Sequence, residues 1–165
     1  MVLDIGALLR GEKDTVDIDY MIDPPEDFDD IHFTGKVSVK GRVRNMAGYM
    51  TLEVTALLPF STHCARCCRE IVREFRLDFS KCIAGKNTLQ NEDNDDYIII
   101  EKNCVDIDPA LLEAILLEFP MTFLCKEDCR GLCPKCGKDL NEGDCSCPKK
   151  EIDPRLEILK KLLDK

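Results

Sequence analysis

The sequence predicts an α+β fold, an antiparallel β-sheet or partly open barrel with packed helices and a distinct cysteine-rich C-terminal region. Three observations carry that expectation. Residues 37–79 alternate apolar and polar side chains with a period of two, an apolar segment with an early proline follows at 108–119, and six of the eleven cysteines lie between Cys125 and Cys147.

The first strand follows Ile31. Val37, Val39 and Val43 take one face, and Lys36, Lys40, Arg42 and Arg44 the other. Asn45, Ala47 and Gly48 supply a turn, after which Met50, Leu52, Val54, Ala56 and Leu58 alternate with Tyr49, Thr51, Glu53 and Thr55. The two strands form an antiparallel hairpin. A third strand runs near Ile71 to Phe79, with Phe75, Leu77 and Phe79 opposite Glu74, Arg76 and Asp78. Residues 86–96 are too polar and acidic to pack and form a loop, followed by a short strand at Tyr97 to Ile100. Asp108 and Pro109 then give an N-cap and a first-turn proline to a helix through about Phe119. Its residues are apolar on most sides, so it is expected to be largely buried, and Pro120 stops it. Asp153 and Pro154 repeat the start signal for a final helix with Leu156, Leu159 and Leu163 at helical spacing, docked on the sheet or on a partner. The chain accordingly divides into an α+β domain over residues 1–124 and a cysteine-rich segment with a C-terminal helix over 125–165.

The net charge of −9 is unevenly spread. Residues 1–33 carry −8, 34–91 carry +6, 92–118 carry −8 and 119–165 carry +1. The acidic blocks favour solubility, while the basic block can meet a phosphate backbone. No stretch approaches the roughly 20 apolar residues of a membrane span. The N-terminus carries Asp4 early and lacks a basic leader, so the expected location is cytoplasmic. Thiols there stay reduced unless they are catalytic, redox-sensing or metal-bound, and an odd cysteine count argues against a disulfide framework.

Cys133-Pro-Lys-Cys136-Gly has the spacing of a zinc knuckle, in which a tight turn aims two thiolates at one point. Cys145 and Cys147 complete a four-sulfur set after a turn-rich excursion. Residues 125–150 hold few apolar side chains beyond Leu132 and Leu140, so burial cannot offset the cost of ordering them. Zn2+ can, since structural zinc binds small peptides with an apparent ~10–16 kcal/mol. Arg130, Lys135, Lys138, Lys149 and Lys150 are placed to relieve the net negative charge of a four-thiolate centre. Cys125 and Cys129 can replace Cys145 or Cys147, or can combine with a second knuckle-like pair, Cys64 and Cys67, in a further site. Cys68, Cys82 and Cys104 then remain as ordinary thiols.

CARC in the middle, CKEDCRGLCPKCGKDLNEGDCSC after it and DPRLEILKKL at the end together resemble the YceD family over roughly residues 30–165. That resemblance implies a role in accumulation or maturation of large-subunit ribosomal RNA, with no established enzymatic activity. The family's CxRC pair is matched by Cys64, Arg66 and Cys67, and Cys68 stands where a larger apolar residue is common. Since not all members carry the C-terminal cysteines, the resemblance lets the metal cluster serve stability more than the shared function.

Lys36, Lys40, Arg42 and Arg44 project to one strand face, and Arg66, Arg69, Arg73 and Arg76 follow near the CxRC turn. If the hairpin and the third strand are adjacent, these eight residues are candidates for a continuous RNA-binding surface. Exposed aromatic platforms for single-stranded RNA are scarce, with Tyr49 the best. Shape-directed contact with large-subunit ribosomal RNA, or docking on a ribosomal protein, is therefore the expected mode for a noncatalytic ribosome-assembly factor. The alternative is a redox-sensitive zinc switch or chaperone. No small-molecule substrate is indicated. Neither CxxC lies in a βαβ pattern, and neither His32 nor His63 begins the HxE pair of a zinc deaminase, so both histidines are assigned to surface or turn.

Overall fold

The described residues of this computed structural model, 1–26, 30–85 and 97–148, form eight strands and two helices. In chain order these are β1 (Val2–Asp4), α1 (Gly6–Leu9), β2 (Thr15–Ile22), β3 (His32–Phe33), β4 (Val37–Met46), β5 (Tyr49–His63), β6 (Glu70–Gly85), β7 (Tyr97–Ile100), β8 (Cys104–Asp106) and α2 (Asp108–Glu118). β4 and β5 are the hairpin. Ala47 and Gly48 close it at φ of 54° and 94°, left-handed values that match the turn to the strand twist. Asn45 accepts the Gly48 N–H at 3.0 Å and donates to the Leu8 carbonyl at 2.8 Å, pinning α1 under the turn.

The sheet order is β2-β4-β5-β6-β7, with β3 also paired to β5, while β1 and β8 form a separate two-stranded ribbon. Among the described residues the sheet is open at β2 and β7 and does not close into a barrel. It is mixed, because β7 joins β6 in parallel over Cys82–Gly85. Val37, Val39, Val43, Leu52, Leu58 and Leu77 are buried on one face of the sheet, against Leu111 and Ile115 of α2. At roughly 1.5–3 kcal/mol per fully buried aliphatic side chain, this face dominates the stability.

Two expectations need correction. The acidic N-terminal segment is not just a charged block: β2 pairs antiparallel with β4 along its whole length, and Val16, Ile18, Tyr20 and Ile22 alternate with Asp17, Asp19 and Met21. Its period was masked by its charge. Helix α2 is only half buried, with Leu111, Ala114 and Ile115 inside but Leu116 and Leu117 at 50% and 78% exposure. Its N-cap is Ile107. Asp108 instead uses its carboxylate to accept the Tyr20 hydroxyl at 2.7 Å and to bind the Met1 amine.

Beyond α2, Phe119 and Phe123 pack with Phe60, their ring centroids 4.6–5.6 Å apart, so the chain leaving the helix is laid along the sheet toward the end of β5. The expected loop at 86–96 and final helix with Leu156, Leu159 and Leu163 lie outside the described residues. Among those described, no helix is long and apolar enough to cross a membrane.

Candidate metal centres

The inward parity of β5 continues past Leu58 through Phe60 and Thr62 to Cys64, so the same alternation that builds the core delivers a buried sulfur at the strand's end. The turn into β6 folds back at once. The Cys64 N–H donates to the Arg69 carbonyl at 2.8 Å, and the Cys68 N–H donates to the Cys64 carbonyl at 2.9 Å. This brings Cys67 beside Cys64. The Cys133 turn repeats both bonds, with the Cys133 N–H on the Lys138 carbonyl at 2.8 Å and the Gly137 N–H on the Cys133 carbonyl at 2.9 Å. The residue after the second cysteine is left-handed in each, Cys68 at φ 55° and Gly137 at φ 73°. Two unrelated stretches thus make one knuckle geometry.

Each knuckle meets a second cysteine pair. Cys64 and Cys67 stand with Cys125 and Cys129, and Cys133 and Cys136 stand with Cys145 and Cys147, the sulfurs of each set lying within 4.8 Å of one another. In the first set the Cys64–Cys129 and Cys67–Cys125 separations are 3.8 and 3.6 Å. A tetrahedral ion with metal–sulfur bonds of about 2.3 Å has sulfur–sulfur edges of about 3.8 Å, so both edges fit. Each set can hold a metal ion. Cys125 and Cys129 thus join Cys64 and Cys67, while Cys68, Cys82 and Cys104 belong to neither set.

The two sets differ in burial and in reach. Cys64, Cys67 and Cys129 are buried and come from chain segments 58 and 65 residues apart, so an ion there cross-links the sheet to the chain beyond α2. The second set is local to residues 133–147, and its Cys136 is exposed. Burial pushes the Cys64 thiol up, but backbone N–H groups of Cys125, Arg66 and Cys67 outweigh it and bring it down to about 6. N–H groups of Cys136 and Lys135, with the Cys145 thiol, likewise bring Cys133 down to about 6. The next proton is held harder. The Arg69 N–H favours the Cys67 thiolate, yet burial and the neighbouring Cys64, Cys125 and Cys129 sulfurs carry it up to about 12; Cys136, then burial, do the same to Cys147. Four crowded sulfurs cannot all ionise without a cation among them.

The sets also touch. Asn141, from the second loop, donates from Nδ2 to the Cys129 sulfur at 3.4 Å, and the Leu132 N–H donates to the Arg66 carbonyl at 3.1 Å. Gly131 between them sits at φ 73°, and a Cβ there would fall 2.8 Å from that Arg66 carbonyl oxygen. Nothing in the sequence singled out Asn141, whose role depends on the long-range meeting of the two loops.

The eight basic residues do not form one surface. By register, Lys40, Arg42, Arg44 and Arg76 lie on the sheet face opposite the core, in rows shared with Asp17, Asp19, Glu53 and Asp78. Lys36 pairs with Asp23 at 3.0 Å, Lys40 with Asp19 at 3.4 Å, Arg44 with Glu53 at 3.6 Å and Arg76 with Asp78 at 3.0 Å. Arg66, Arg69 and Arg73 go to the cysteine segment instead, reaching the Cys129 carbonyl, Asp139 and the Cys125 carbonyl at 2.8, 3.2 and 3.0 Å. The acidic strand therefore answers the basic one within the sheet.

Against known proteins, residues 52–163 match the family described as large ribosomal RNA subunit accumulation protein YceD. An uncharacterized protein of Bacillus subtilis, YlbN, is 33% identical over 138 residues, covering 81% of this chain and 78% of its own. An uncharacterized protein of Mycobacterium tuberculosis is 26% identical over 74% of this chain and 59% of its own, so the chain spans little more than half of that relative. A chloroplastic protein of Arabidopsis thaliana named large ribosomal RNA subunit accumulation protein YCED homolog 1 is 37% identical over 49 residues, 30% of this chain and 15% of its own. No solved structure matches.

Proposed function

The chain belongs to the YceD family, and on that premise we propose that it is a noncatalytic factor supporting accumulation of large-subunit ribosomal RNA, its fold stapled by two structural zinc ions. The family match carries the ribosomal part of this reading. The zinc part rests on two all-thiol sets, each with its four sulfurs within 4.8 Å of one another. Zinc suits such donors and geometry, and four protein ligands leave no coordination position for substrate. The centres then serve to hold shape, and the factor acts by binding. Its partner is ribosomal RNA or a ribosomal protein.

Depleting the protein in the cells that carry it tests the ribosomal role. The ratio of large- to small-subunit ribosomal RNA falls, and in-cell crosslinking followed by sequencing and mass spectrometry recovers large-subunit RNA or its proteins. An unchanged ratio with neither recovered removes the assembly-factor reading. Elemental analysis of the reduced protein tests the metal, with two zinc ions per chain expected. The exposed Cys136 also favours a second reading, a redox-sensitive zinc switch. Release of one zinc by mild peroxide together with gained client binding selects it.

A further inference from the structure

β6 is paired along one side by β5, but on its other side only Cys82–Gly85 meet a strand, β7. Among the described residues, Glu70 to Lys81 have no neighbour in the sheet on that side. Arg73 reaches the Cys125 carbonyl at 3.0 Å, so the chain entering the first cysteine set borders the start of this edge, and among the described residues no strand pairs with Glu74 to Lys81 on that side. That is a run of about 27 Å, with alternate N–H and C=O groups directed outward.

Helix α2 walls this edge. Ala110, Ala114 and Leu117, one stripe of the helix, line a groove of about 640 Å³ whose other side is residues 78–82. Two alanines leave room for side chains entering from above, and Leu117 stands at the groove with 78% exposure. Charge sets what enters. Lys81, the cation among the described residues that line the groove, is already used on Glu113 at 3.4 Å, and Asp78 is paired with Arg76 at 3.0 Å. Glu118, which lines the groove beside Leu117, has no ion pair among the described residues.

We infer that this edge takes an extended basic peptide segment of a partner protein as an added β-strand, its alternate apolar side chains dropping between β6 and α2. An open strand edge beside a helix is a recurring geometry for strand addition, in which main-chain bonds give affinity and the groove gives specificity. Nucleic acid is disfavoured here, because the unpaired Glu118 carboxylate repels phosphate and Phe79, nearly buried, offers no stacking platform. The inference rests on the binding-factor reading above and chooses protein as its partner.

The test uses the full-length zinc-loaded protein and three synthetic probes: an alternating Val-Lys octapeptide, the same peptide with a central proline, and oligo-U. In the free protein, alternate amides between Glu74 and Lys81 exchange rapidly with solvent. The alternating peptide slows them and shifts amide resonances of β6 and α2, whereas the proline peptide and oligo-U do not. Leu117→Arg with Glu118→Lys, both at exposed positions, weakens peptide binding by about tenfold or more, the loss expected for one buried leucine. Edge amides already protected in the free protein mean that its own chain or a second copy covers the edge, and overturn the inference. So does equal binding of the proline peptide, or shifts that map elsewhere. Because these readouts involve no ribosomal RNA, their failure is separable from an unchanged RNA ratio on depletion.

Discussion

Because an ion at the first cysteine set joins segments 58 and 65 residues apart, unfolding the sheet pulls that site open. Closing a loop of that size costs the unfolded chain about 4 kcal/mol on the chain-entropy relation, which the metal-free protein must offset with the Phe60–Phe119–Phe123 contacts. The second set spans only residues 133–147, and zinc-knuckle peptides of that size bind metal by themselves. A metal ion there should stay bound when the sheet melts. Stability of the sheet should therefore rise by about 1.4 kcal/mol for each tenfold increase in free zinc above the dissociation constant, the linkage of a single released ion. The assay is urea unfolding of the reduced protein in chelator-buffered zinc, read by far-ultraviolet circular dichroism. Cys67→Ser flattens the slope and Cys136→Ser leaves it near 1.4. A wild-type slope near zero, or one indifferent to Cys67→Ser, refutes the assignment of the first set as the staple. A slope of twice that size refutes the independence of the second.

Three further outcomes follow from particular contacts. Asn141→Leu removes the donor to the Cys129 sulfur, and zinc transfer from the first set to a chromogenic chelator should quicken by about 10–100-fold with the second set intact. Tyr20 is pushed above its ordinary value of 10.0 first by burial and then by its bond to Asp108, so the fold favours the neutral phenol. That contribution is whole below pH 10.0 and lost as pH rises from there toward the folded value. Tyr20→Phe costs about 1 kcal/mol at neutral pH and flattens the alkaline limb of a urea-stability profile. Cys68 holds the left-handed position that glycine fills in the other knuckle. Cys68→Gly should stabilise by about 0.5 kcal/mol and Cys68→Val destabilise by about 1 kcal/mol, compared by urea midpoints.

The hairpin, its turn and the inward face of the third strand were legible because alternation there is unbroken by charge on the apolar positions. β2 was not. Its acids dominate any reading by composition, although Val16, Ile18, Tyr20 and Ile22 keep the same period. The parallel step from β6 to β7 is invisible in either strand, since pairing direction belongs to the connection between them. The knuckle spacings exposed both pairs of thiols, and counting alone allowed Cys125 and Cys129 to complete either centre. The packing of Phe119 and Phe123 on Phe60 helps decide it, by steering the chain beyond α2 back to the end of β5. The division of the basic residues between two places was illegible for a related reason. A charge pattern read along one strand omits what the neighbouring strand sets opposite, and here that is Asp17 and Asp19.

The same path ties the metal to the groove. From α2 the chain runs through Phe119 and Phe123 and is bonded at Phe123, whose carbonyl accepts the Ala65 N–H at 2.9 Å, before entering the set at Cys125. α2 is fixed to the core by Leu111 and Ile115, and the chain leaving it is fixed through this segment to the β5–β6 turn. An ion bound by Cys64, Cys67, Cys125 and Cys129 would thus set how far the helix stands from the open edge of β6, although it lies beyond that edge. The staple can then matter to binding without any ligand touching it. On the proposed reading the work of the centre lies in the spacing between a helix and a strand, which a site with all four positions taken by protein is suited to do.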